Sequence, residues 1–474
     1  MKTTLFLRSL AATACVAVLL QACGADTVAG IDRGGAPVVA SGVVTGFGSI
    51  FVNGVEYDTS DATFQIGGRT GSEADLRVGY VVTVVGTLDE GSTTRGKAES
   101  VSFRASVRGP VEALDLEAGT LDVLGQKVRI TDATSFGDGI STRGLAGLSV
   151  GTVVEISGFP GSDGDIVATR VELDDGTDIE ATGAVSDLDA AAMRFSINAL
   201  RVDYSQAELE GFGSSGPQNG DTVEVEGTML DADGVLIATH VEREDGPSFA
   251  ASERAEIEGL VTRFGSSTDF SVSGQPVVTN SSTVFENGSA ADLALDVAVE
   301  VEGTVDGQGR LVAEEVEFRI AGSSEISGTV SAVNAADGTL EVSGVRVSVT
   351  ATTRFEDHSD ARVTHFSLAN VAVGDYVEVR GHESDDGLIA TLLERDDADD
   401  SEVEISGIVR SVAAPELVVL GATVVTNAGT QFRDENENAL SADAFFAAAP
   451  GRRVEIDGEW IGGAIQAEEA QLED

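Results

Sequence analysis

The chain has 474 residues, and 29 Lys and Arg face 80 Asp and Glu, a formal charge of −51. That balance repels other anions, so it excludes nucleic acid, whose grip needs basic side chains on phosphates, and a peripheral hold on anionic lipid. Aromatics are only 5%, with one Trp and four Tyr, which argues against the stacking platforms of sugar and single-strand binders.

The chain opens with MKTTLFLRSLAATACVAVLLQAC. Lys2 and Arg8 form a positive end, and the apolar stretch to Leu20 is too short for a membrane span, so residues 1–22 read as a secretion signal. Leu20-Gln21-Ala22-Cys23 resembles a bacterial lipobox, which implies that Cys23 is acylated and becomes the new N-terminus. Gly24 follows; by resemblance to the sorted lipoproteins of Gram-negative bacteria, this implies the outer membrane of the cell envelope. Cys15 lies in the removed segment, so the mature chain is expected to have neither a disulfide nor thiol catalysis. Loss of Lys2 and Arg8 leaves 27 basic against 80 acidic residues, or −53. Residues 23–38 lack strand pattern and read as a tether.

From there one phrase recurs six times: GYVVTVVG at 79, GTVVEISG at 151, GDTVEVEG at 220, DVAVEVEG at 296, GDYVEVRG at 374 and GRRVEIDG at 451. Its fourth and sixth places are β-branched and apolar, and its fifth is Thr83, Glu155, Glu224, Glu300, Glu378 or Glu455. That alternation predicts a strand with one face buried and one in water, the glutamates on the wet side. The closing Gly suits a bulge, a bend or a turn with positive φ.

Around each octet the other elements follow in fixed order. A Gly-containing strand start (SGVV, RGPV, TGAV, EGLV, SGTV, SGIV) precedes a hairpin such as FVNGVEY, where Asn-Gly signals a tight turn. The third copy has Ala199 in place of the turn glycine, so its turn is expected to differ. Thr-x-Phe comes next, at Thr134, Thr283, Thr353 and Thr430; it is shortened to Thr63-Phe64 in the first copy and missing from the third. The phenylalanines read as barrel plugs. A variable helical turn or loop leads to the octet, and a hairpin leads to the last strand. Five short strands with an insert between the third and fourth predict an all-β chain of six tandem small five-stranded OB-like β-barrels. Their bounds are 39–105, 106–175, 178–246, 254–320, 323–397 and 401–474, joined by short acidic linkers. Placed end to end, six such units would reach about 150–180 Å.

The ordered set of x-G-x-V, V-x-G-h-x-V, T-x-F and G-x-x-V-x-V-x-G phrases resembles the bacterial family of tandem domains called domain of unknown function 5666. The resemblance covers almost all of the chain after residue 38. It implies fold and envelope setting and no mechanism.

No His-Glu-x-x-His, cysteine pair or phosphate loop is present. Three of the four histidines, His358, His365 and His382, fall in the fifth repeat beside Asp357, Asp360, Glu383, Asp385 and Asp386, a composition that suits a transition metal but matches no metal spacing. DADG at 231–234 offers Asp231 and Asp233 as calcium ligands, although Asp-Gly is also hairpin-turn chemistry. Trp460 follows an octet and is either a lone exposed ring or a hairpin-packing side chain. The expected function is a non-catalytic, lipid-anchored structural or protein-binding array without a cofactor, its protein partner unnamed. A calcium-dependent binding or adhesion module and an envelope enzyme using the fifth repeat's histidines are the alternatives.

Overall fold

The structure, a computed structural model, describes residues 37–473 apart from 214, 245–250, 320–323, 385 and 398–401. The signal, Cys23 and most of the tether lie outside the described residues, as does Asp385. The sixth repeat shows the plan. A long first strand, Glu402–Ala413, turns into Glu416–Val419 and Ala422–Val425; the short strand Gln431–Arg433 and a helix, Ala442–Ala448, precede Arg453–Ile461 and Ala464–Leu472. The first strand pairs with the second and with Arg453–Ile461, and the third runs parallel to the last, which closes the ring. This is the strand order of an OB-type barrel, and all six repeats have it.

The octet forms the fourth long strand, and its alternation is realised on the inner face. Its twelve fourth- and sixth-place side chains, from Val82 and Val84 to Val454 and Ile456, are at most 1% exposed. Burying each stabilises its barrel by about 1.5–3 kcal/mol. The eighth-place glycines sit at bulges opposite the last strand. A Cβ there would lie 2.1–2.7 Å from a carbonyl oxygen of that strand, so close backbone approach, and not positive φ, demands glycine. The octet's first place does require positive φ, with Gly374 at 99°. Asp296 holds the same place in the fourth copy at 62°, a conformation Asp tolerates.

The hairpin between the second and third strands is a left-handed pair in five copies, for example Leu420 at 48° and Gly421 at 85°. In the third copy Asn198 is left-handed at 50° and Ala199 is not, as the missing glycine predicts. The threonine of Thr-x-Phe donates from Oγ1 to the last strand's carbonyl: Thr134 to Ala168, Thr353 to Ala390 and Thr430 to Ala467, each at 2.7 Å, and Thr283 to Ala313 at 2.8 Å. Phe136 and Phe432 plug their barrels, whereas Phe285 and Phe355 are only half-buried. The variable insert supplies a second plug: Leu76, Leu148, Phe212, Leu293, Leu368 or Phe445.

The barrels are not beads on solvated linkers. The first strand of each is flanked by its own fourth strand and by the first strand of another barrel. Repeats 2 and 3 join antiparallel, as do 5 and 6, while repeat 1 joins repeat 4 in parallel through Val38–Ser41 and Arg254–Ile257. Three sheets of 13, 12 and 12 strands result. They pack on one another: Val43, Phe159 and Leu260 from repeats 1, 2 and 4 form one small core, and Ser157 Oγ of repeat 2 accepts from the Val81 amide of repeat 1 at 2.8 Å.

Candidate functional site

This packing overturns the expected solvated glutamate face. Glu224 is fully buried, and the side chains of Glu155 and Glu300 are 14% and 12% exposed. The outer strand face lies in the seams between barrels, where carboxylates gather round single arginines. Arg104 of repeat 1 meets Glu224, Glu242 and Glu244 of repeat 3. Arg108 meets Glu155, Asp174 and Glu180, which places the acidic joint after repeat 2 inside a seam. Arg319 meets Glu258, Glu300 and Glu317, and Arg380 meets Glu325, Glu378 and Glu394. A planar, permanently charged fork suits such sites better than lysine, which fits a chain with only three lysines.

The deepest of these junctions joins repeats 1, 2 and 5. Arg170, 6% exposed, reaches Glu356 at 2.8 Å, Glu172 at 2.6 Å and the Val78 carbonyl at 2.9 Å. Arg354, also buried, donates to the Ala133 and Thr169 carbonyls of repeat 2. His358 lies between them, Nδ1 on Asp138 of repeat 2 and Nε2 3.1 Å from Glu394. Burial alone would lower the pKa of His358, but hydrogen bonds with Glu356 and Glu394 outweigh it and push it up to about 10. Burial would raise the pKa of Glu356, and Arg170 with the His358 hydrogen bond holds it well below the usual range. The ring is therefore an imidazolium sharing its two protons with carboxylates of two barrels.

The three candidate histidines are not brought together. His365 packs edge-on against Phe47 of repeat 1, ring centroids 6.3 Å apart. His382 sits past the bulge of its strand, half-buried, with no partner on Nδ1. Both stand apart from the cluster of His358 with Glu356 and Glu394. Of the acidic residues beside them, Asp357 is held by Arg395 at 2.6 Å and by the Val363 amide. The backbone of Asp360 donates to Asp397, and Glu383 accepts from the Ile408 amide of repeat 6.

The calcium candidates form a turn. Asp231 accepts from the Asp233 and Val235 amides at 2.8 and 2.9 Å, and Asp233 is exposed. Those bonds lower the pKa of Asp231 and use its carboxylate for the hairpin. Trp460 covers the Gly344 turn of repeat 5, so it packs between barrels. A cavity of about 140 Å³ lies at the edge of the Arg108 seam, lined by Arg69, Asp178, Glu180 and Glu226.

The seams escaped sequence reading because alternation marks a strand face as polar without saying what covers it. The usable signal was an arginine at the strand ends, as in Arg104 and Arg319.

No curated protein is similar to the chain at a significant level. Six chains of known structure match. One is Drosophila Unr CSD456, at 15% identity and a TM-score of 0.12, covering 46% of this chain and 98% of that one. The family described as "Domain of unknown function (DUF5666)" matches at residues 38–95, 108–172, 182–242, 258–317, 327–394 and 406–471. With its six barrels accounted for by those six matches, the chain belongs to the DUF5666 family.

Proposed function

We propose that the protein is a lipid-anchored envelope scaffold that binds protein partners and performs no catalysis, its Cys23 acylated at the outer membrane. The observation that carries this reading is the fusion of six barrels into one body by shared sheets and buried Arg–carboxylate seams. Such a body holds many hairpin loops in fixed relation, and loops on a rigid frame are where binding specificity resides. The Asp231 carboxylate is taken up by its own hairpin turn, which favours protein binding over calcium-dependent adhesion.

Small-angle scattering tests the scaffold. A single body of this length has a radius of gyration of about 22 Å, against about 45–50 Å for six barrels end to end. A value near the larger figure would remove the basis for a fixed loop array. Fatty-acid labelling tests the anchor: Cys23→Ala should lose the label and leave the membrane fraction. Photocrosslinkers at exposed turns such as Asp233 should then capture a defined protein partner, and their failure at every turn would count against a binding role.

A further inference from the structure

The short strand that carries Thr-x-Phe runs beside the last strand, and the two place a pair of glutamates side by side in three repeats. The pairs are Glu210 with Glu242, Glu286 with Glu317, and Glu356 with Glu394. Two like charges at neighbouring positions repel. Burial, then Glu286, pushes the pKa of Glu317 up to about 7. A proton or a cation between its members relieves that repulsion.

Repeat 5 supplies the cation internally. Its pair is sealed by Arg170 and His358. Repeat 3 completes its pair differently. His240 lies two residues before Glu242 on the same strand face, across from Glu208. Its Nε2 is 3.7 Å from Glu210 Oε2. That is too long for a hydrogen bond and close to the roughly 3.4 Å that separates two ligands on one tetrahedral zinc ion. One atom each of Glu210, His240 and Glu242 lie within 4.8 Å of one another. Glu210 is 65% exposed, so this seat faces water, unlike the one in repeat 5. Behind it Glu224 is fully buried and paired with Arg104 of repeat 1. Arg104 is itself also bonded to Glu242 at 2.6 Å. One guanidinium thus serves Glu224, Glu242 and Glu244.

We propose that Glu210, His240 and Glu242 form a binding site for one divalent transition-metal ion of the zinc class, with water in the remaining coordination positions. One imidazole nitrogen and two carboxylates are a donor set for such an ion. The third repeat is also the copy that has lost Thr-x-Phe: its strand reads Glu208-Leu209-Glu210, which exchanges a packing strand for a ligating one.

Zinc binding to the full chain, measured by titration calorimetry in excess Mg2+, tests the site. The magnesium saturates weak association with so acidic a chain. One magnesium-resistant equivalent is expected per chain. His240→Ala and the conservative Glu210→Gln should each weaken it at least about 10-fold, and His382→Ala should leave it unchanged. Cobalt bound in place of zinc should lose its imidazole-dependent visible bands in His240→Ala. No magnesium-resistant equivalent, or one that survives both substitutions, would overturn the site. Neither result bears on lipid anchoring or partner capture, which use other residues.

Discussion

Single residues in this protein are set by how closely backbones approach as well as by φ. At Gly381 a Cβ would sit 2.1 Å from the Ile389 carbonyl oxygen across the bulge. Neither backbone strand can yield without breaking the barrel, so Gly381→Ala should cost about 2–3 kcal/mol, the upper range for overpacking. Gly307 meets nothing within 4 Å and has no positive φ, so Gly307→Ala should stay within about 0.5 kcal/mol of wild type. Urea unfolding of both variants checks the pair; equal effects would mean the bulge relaxes. The recurrence of this glycine was plain in the sequence, but its cause was not. A bulge and a positive-φ turn both select glycine, and only the register against the last strand distinguishes them.

Among elements, the short Thr-x-Phe strand holds the barrel wall together. Thr430 Oγ1 accepts from the Asn427 amide at 2.9 Å and donates to the Ala467 carbonyl at 2.7 Å. Valine has the same shape and neither capability, so Thr430→Val would strand a buried donor and acceptor. The expected loss is about 1–3 kcal/mol, read as a lower midpoint in the unfolding of repeat 6. An unchanged midpoint would assign the motif to its phenylalanine alone. The motif, the six barrels and their order were legible because each rests on local alternation and turn chemistry. Which barrels share a sheet was not legible, because the parallel pairing of Val38–Ser41 with Arg254–Ile257 spans two intervening repeats. The histidine candidates misled for a related reason. His358, His365 and His382 are near in sequence, yet their partners come from repeats 1 and 2 for the first two, and strand direction separates the third.

For the whole molecule, the seams make stability depend on pH in an unusual direction. Burial, reinforced in most cases by neighbouring carboxylates, pushes Glu180, Glu256, Glu317 and Glu455 up to about 7 and Glu325 up to about 8. The folded chain keeps these protons at pH values where the unfolded chain, with carboxyls near 4.5, has released them. Stability therefore falls as pH rises from about 4.5 to 8. His358 acts in the same sense over a higher window: its contribution is complete below the ordinary value of 6.5 and is lost as pH rises toward 10. Asp357 and Glu356, both held low, oppose this only in acid, since their contribution is present above their ordinary values and disappears below them. The melting temperature should thus peak near pH 5 and decline through neutrality to pH 10. Trp460, the single tryptophan, covers the Gly344 turn across the seam between repeats 5 and 6, so its fluorescence should report that seam opening on the alkaline side. Glu325→Gln and Glu455→Gln remove two of the carboxyls that resist ionisation, and together they should flatten the decline between pH 5 and 8. A melting temperature that climbs from pH 5 to 9 would mean that water fills the seams and that the six barrels are held together by their shared strands alone.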